Sequence, residues 1–177
     1  MTAMETEKIN IQNNIPATLM WKRLITRPRW LTSHASEKRN LSSLNQCFQF
    51  MPPQDITKYP QLATIRLHFG EIKKLLQKHL ADSETVFFPA IKKNVTSSSD
   101  VSHLKDQVHS VKEEISKRFS EIRTLTHHYN APEEASAWTK LCYALLHDLE
   151  SDTNHHLFVE ESILPLKVGA WKNFTFK

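Results

Sequence analysis

Only two glycines, Gly70 and Gly169, occur in the 177 residues, and that scarcity excludes most architectures open to a chain of this length. Tight hairpin turns need positive φ, which glycine supplies at least cost, so a many-stranded sheet has little means of turning here. The apolar residues instead recur three and four apart. Leu41, Leu44, Cys47 and Phe48 do so ahead of Met51-Pro52-Pro53. Ile65, Ile72, Leu75, Leu76 and His79 share a second stripe, and Leu104, Val108, Val111, Ile115, Phe119 and Ile122 form a third.

This spacing predicts an all-α chain of four long helices. The first runs from about 30–33 to 50 and is stopped by the two prolines. The second runs from Gln54 or Tyr59 to Leu80, with Glu84 to Lys93 continuing it or bending away. The third spans about 101–128 behind Asp100 as its cap, and the fourth starts at the capping-box-like Asn130-Ala-Pro-Glu133 and ends near Leu164. Short connections make neighbours antiparallel, so the expected fold is an up-down-up-down four-helix bundle over residues 29–168. Residues 1–28 read as a flexible polar arm carrying a short helix near Leu19 to Ile25, and 169–177 as a tail anchored by Trp171.

An apolar fraction of 40% is enough for one core. The formal charge of +4 is modest, and its basic residues interleave with acidic ones except around Lys22, Arg23, Arg27 and Arg29, so a solvated face is preferred to a nucleic-acid interface. No apolar run reaches membrane-spanning length, and the first 20 residues lack the layout of a secretory signal, so a cytoplasmic protein without membrane contact is expected. Cys47 and Cys142 fit no close-set metal or redox motif and read as reduced thiols.

Ten histidines are many for this length. His34 falls near the start of the first helix, His79 near the end of the second, His109 near the start of the third and His156 near the end of the fourth. In an antiparallel bundle these four positions lie at similar height, because a mismatch of a few residues is about one turn at about 1.5 Å per residue. His34 precedes His79 by 45 residues and His109 precedes His156 by 47, as in two related hairpins. His79-Leu-Ala-Asp-Ser-Glu-Thr-Val-Phe-Phe-Pro89 also echoes His156-Leu-Phe-Val-Glu-Glu-Ser-Ile-Leu-Pro165. Imidazole is a neutral nitrogen donor for iron, and carboxylates add anionic oxygens that can bridge two ions. Glu160 follows His156 by one turn and shares its face. The equivalent place after His79 holds Ser83, a poor iron ligand. Glu84 is the nearest substitute but needs a local bulge to face inward, whereas Asp82 needs little.

These stretches, with Ser33 to Leu41, the His109 helix and Ala137 to Tyr143, resemble the hemerythrin-like superfamily, and within it the di-iron family that repairs iron-sulfur centres. The resemblance implies a non-haem iron protein with two ions, or one, held by His34, His79, Glu84, His109, His156 and Glu160. Glu84 has a precedent in the wider superfamily, where oxygen carriers place one bridging carboxylate five residues after its histidine. The resemblance also implies a role in nitrosative or oxidative stress, with iron-sulfur proteins as partners and nitric oxide or oxygen as small ligands. The cysteine-bearing N-terminal domain of many repair proteins has no counterpart in this sequence. Two rivals stand beside repair: a sensor or carrier that binds oxygen or nitric oxide, and a degenerate bundle with one metal or none, for which Ser83 is the strongest argument.

The other histidines read as structural. His68 is about 16 Å from His79 along the helix, His147 points away from His156, and His127 and His128 cap the third helix. His103 and His155 face solvent or neighbouring helices. Glu113, one turn after His109, reads as a solvated charge.

Overall fold

The computed structural model describes residues 29–87, 89 and 98–172. Five α-helices follow one another: α1 (Arg29–Gln49), α2 (Pro53–Lys58), α3 (Gln61–Asp82), α4 (Ser98–Leu125) and α5 (Ala137–Lys172). A π-helical turn, Ser83–Phe87, extends α3. No strand occurs among the described residues, and none of their helices is long and apolar enough to cross a membrane. The expected arm with its short helix and the last residues of the tail lie outside the described residues.

Each long helix turns one stripe inward. In α1 it is Leu41, Leu44 and Cys47 with Phe48; in α3 it is Leu62, Ile65, Phe69, Ile72 and Leu76; in α4, Ile115, Phe119 and Ile122; in α5, Cys142, Tyr143, Leu146 and Leu149. α1 packs on α5, α5 on α4, α4 on α3, and α3 on α1, which closes the four long helices into an antiparallel bundle. The same stripes carry polar residues at one end: His34 and Glu37 of α1, His79 and Ser83 at the end of α3, and Thr153, His156 and Glu160 of α5 are all buried. Ser36 and Asn40 of α1 both donate to Asp152 of α5 at 2.9 Å, which sets the register of the two helices beside that polar end.

Several boundaries differ from the expected ones for identifiable reasons. Pro53 starts a separate short helix, and Pro60 divides it from α3. Asp100 lies inside α4, which starts at Ser98. α5 begins at Ala137 and not at the Asn130 box, because Ser136 takes the N-cap role and accepts from the Thr139 amide at 3.3 Å. α5 also runs on to Lys172, past the expected end near Leu164.

Buried Asp55 of α2 holds this start from a distance, accepting from the hydroxyls of Ser136 and Thr139. Asp55→Ala leaves both hydroxyls without their acceptor inside the protein. We expect it to lower unfolding free energy by about 2 kcal/mol, read from the urea midpoint.

His127 and His128 close α4 through their backbone amides, which donate to the Thr124 carbonyl at 3.3 Å and the Arg123 carbonyl at 2.8 Å. With Tyr129 they form three consecutive left-handed residues, at φ 49°, 59° and 64°. Non-glycine residues adopt that region at a cost, and here the turn is tied down. The Tyr129 amide donates to Thr126 Oγ1 at 3.0 Å, and the Tyr129 hydroxyl donates to buried Glu150 at 2.6 Å, where Arg123 also binds. A chain poor in glycine thus makes its tight reversal with histidines, held by a buried carboxylate.

Candidate metal centre

The polar end of the bundle brings three buried ligand-type groups together. One donor atom each from His34, His156 and Glu160 lies within 4.8 Å of the others. His34 Nε2 and His156 Nε2 stand 3.1 Å apart, His156 Nε2 is 3.0 Å from Glu160 Oε1, and His34 Nε2 is 3.9 Å from the same oxygen. Metal–ligand bonds of about 2.1 Å place adjacent donors about 3.0 to 3.4 Å apart, so two of the three separations already suit one ion. The third needs a sub-ångström shift of His34.

The other ring nitrogens explain why the two imidazoles face each other. His156 Nδ1 is 2.8 Å from Glu37 Oε2, and His34 Nδ1 is 3.0 Å from Glu84 Oε1. A carboxylate at Nδ1 holds the proton on that nitrogen and leaves the Nε2 lone pair facing inward. Two neutral imidazoles so arranged oppose lone pair to lone pair at 3.1 Å, which is repulsive unless a cation or a proton lies between them.

Glu160 is shared between two directions. Its Oε2 comes within 2.8 Å of His79 Nε2, while Oε1 faces His156 and His34. None of these approaches is aligned as a hydrogen bond, so both carboxylate oxygens and His79 Nε2 are buried without a hydrogen-bond partner. A buried carboxylate ringed by imidazole nitrogens that do not hydrogen-bond it is the donor set of a cation site. The residues present therefore fit a bound metal.

In the metal-free chain a proton takes the cation's place. Burial disfavours an imidazolium at His156, but the carboxylates of Glu160 and Glu37 outweigh it and raise its pKa to about 9. Burial pushes the Glu160 carboxyl the other way from the imidazoles of His156, His34 and His79, which prevail and hold it well below the usual range. An unfolded histidine titrates near 6.5. The stability contributed by the His156 proton is therefore complete below about pH 6.5 and fades as pH rises through about 9. The contribution of Glu160 is present above its unfolded value of 4.5 and is lost in acid. Chelator-treated protein should accordingly show a urea midpoint that falls between pH 7 and pH 10, and His156→Gln should flatten that fall.

Sequence reasoning placed six residues here, and the structure distributes them differently. His34, His156 and Glu160 meet, and His79 joins through Glu160. Glu84 also reaches the cluster, because the π-helical turn supplies the bulge it needs. It does so from behind, however: it binds His34 Nδ1 and takes a 2.7 Å contact from Lys38, whose ammonium, with His34, holds its carboxyl below the ordinary range. Ser83 is buried in the inward place one turn after His79. His109 is not brought to the cluster. Its side chain is 56% exposed and pairs on the surface with Glu161 and Glu113. The buried neighbour Val108 occupies the inward phase of α4, and His109 is about 100° further round.

Glu37 went unnoticed in the sequence, although it is fully buried and holds His156. Its signal was available: it follows His34 by three residues and precedes Leu41 by four, so it shares their phase. His103, read as facing solvent or a neighbouring helix, lines a cavity of about 440 Å³ between α3 and α4 with His79, Asp82, Ser83, Asp106 and Val108. His68 pairs with Glu121 at 3.0 Å, and His147 is exposed against Tyr129.

Among curated proteins no relative matches the chain. The model of the hemerythrin HHE cation-binding domain matches residues 29–165, which takes in all of α1 to α4 and the site-bearing part of α5. With that match over most of its length, and a buried histidine–carboxylate cluster at the end of an antiparallel bundle, the chain belongs to the hemerythrin HHE cation-binding domain family.

Proposed function

We propose that this protein holds non-haem iron in two unequal places joined by Glu160, and acts in the response to nitrosative or oxidative stress as iron-sulfur cluster repair proteins do. One observation carries the reading: Glu160 directs one buried oxygen at His34 and His156 and the other at His79, with no hydrogen bond satisfying either. The tighter place is His34, His156 and Glu160 Oε1. The weaker is His79 with Glu160 Oε2, at the edge of the α3–α4 cavity, where Asp82, His103 and Asp106 offer further donors in place of the absent glutamate at position 83.

Bound iron supplies reversible one-electron redox and open coordination positions for a small ligand. The chain's own groups do the rest. Glu37 and Glu84 orient the imidazoles, Lys38 keeps Glu84 anionic, and the wholly buried Leu80 and Leu157, each next to a site histidine, keep bulk water out.

The cavity favours a second reading as a sensor or carrier, since it opens a route for a diatomic ligand to the His79 side. Anaerobically loaded protein mixed with a metal-free iron-sulfur apoprotein separates the two. Repair predicts transfer of iron and recovery of the acceptor's cluster. A carrier predicts a reversible spectral change with oxygen or nitric oxide and no iron release.

A further inference from the structure

A cluster this deeply buried needs a way in for its cation, and the described residues offer two approaches. His34, Glu37, His156 and Glu160 are each at most 2% exposed. The first approach is past the partly exposed Glu84, but the Lys38 ammonium stands 2.7 Å from the same Glu84 oxygen that binds His34, and it repels a cation there. That side also leads to His34 Nδ1, not to the inward nitrogen. The second approach is the cavity of about 440 Å³ between α3 and α4, and of the site groups His79 is the one on its wall. His79 is buried, its Nε2 has no hydrogen-bond partner, and that nitrogen is 2.8 Å from Glu160 Oε2.

We propose that Asp82, His103 and Asp106 form an entry site on this cavity, where they capture a hydrated divalent cation from solvent and pass it by His79 to Glu160. The inference rests on the iron reading above and adds the route by which both places fill. All three residues are exposed and line the cavity. Asp106 follows His103 by three residues on α4, so the two share a face, and Asp82 comes from α3 on the other wall. Lys78 offsets one of the two carboxylates, which leaves the wall net negative and attractive to a cation.

Size and donor type both direct the cation inward. The cavity admits the ion with its water, since six waters take roughly 200 Å³ at about 30 Å³ each. Exposed carboxylates and water hold such an ion loosely, whereas the buried imidazoles beyond His79 suit iron better, so each handover favours the next. Ser83 has a part in this. It is buried one turn after His79 and lines the same cavity, and its short side chain leaves open a passage that a longer one would fill.

Stopped-flow mixing of the metal-free protein with cobalt(II), whose visible bands report nitrogen ligation, tests this. Asp82→Asn combined with Asp106→Asn should slow filling about tenfold at low salt, and the difference should shrink at high ionic strength. Cobalt held at the tighter place after equilibration should match the parent chain, because neither residue touches His34, His156 or Glu160 Oε1. Asp106→Lys, which reverses the charge, should fill more slowly than Asp106→Asn. Glu71→Gln with Glu134→Gln removes two exposed carboxylates elsewhere and should fill at the parent rate. An Asp82/Asp106 double variant that fills as fast as the parent, or that has lost the tighter place at equilibrium, would overturn the entry site and leave the iron reading standing. A parent chain that binds neither cobalt nor iron would overturn both.

Discussion

Glu160→Ala is expected to leave the helical fold in place and remove the metal, lowering iron affinity on the order of 100-fold or more. Glu160 is the one carboxylate that faces His34, His156 and His79 together, and its oxygens are the anionic donors within the buried cluster. Without it three imidazoles remain with no anionic donor facing the cation, since Glu37 and Glu84 lie behind His156 and His34. The metal-free fold should lose the stability that ionised Glu160 contributes through its imidazole neighbours, so helix content is read alongside iron content. Iron per chain after anaerobic reconstitution and desalting, with circular dichroism for helix content, checks both halves. His109→Ala is the matched control and should bind iron as the parent chain does.

The second large effect is expected at Glu37. Glu37→Gln keeps the shape and can still accept from His156 Nδ1, but removes the negative charge that favours a proton on that nitrogen. Glu37→Leu removes the acceptor as well. Carboxylates in this position behind a metal-bound histidine typically contribute 10- to 100-fold in affinity, so Leu should cost on the order of 100-fold and Gln roughly 10-fold. Competition with a chromophoric chelator measures both. Equal, unchanged affinities would show that Glu37 is only a buried structural acid, whereas the graded series requires that it acts through His156.

How much of this was legible beforehand depended on angle more than on height. The bundle followed from scarce glycine and apolar spacing, and His34, His79 and His156 all continue buried stripes. Height alone admitted His109 as well. Phase excluded it: Val108 lies on the inward stripe of α4, and the next residue points about 100° away. The same phase would have found Glu37, which lies between His34 and Leu41 on the buried face of α1.

Glu84 was half legible. Its need for a bulge could be stated from the helix geometry, but the π-turn that supplies it, and the Lys38 contact that turns it to the back of His34, depend on α1 packing beside α3. The left-handed His127–Tyr129 turn had no signature, since it is held by Glu150 more than twenty residues later in the chain. The start of α5 was misplaced for a similar reason. Asp55, from a helix more than eighty residues earlier, binds the hydroxyls there.

Anaerobic titration of the metal-free protein with ferrous iron, followed by optical spectra after oxidation, tests the central claim most directly. Two unequal binding steps are predicted, the tighter abolished by His156→Ala and the weaker by His79→Ala, with oxo-to-iron charge-transfer bands only when both are filled. Less than one iron bound per chain, or the same two steps in both variants, would contradict it.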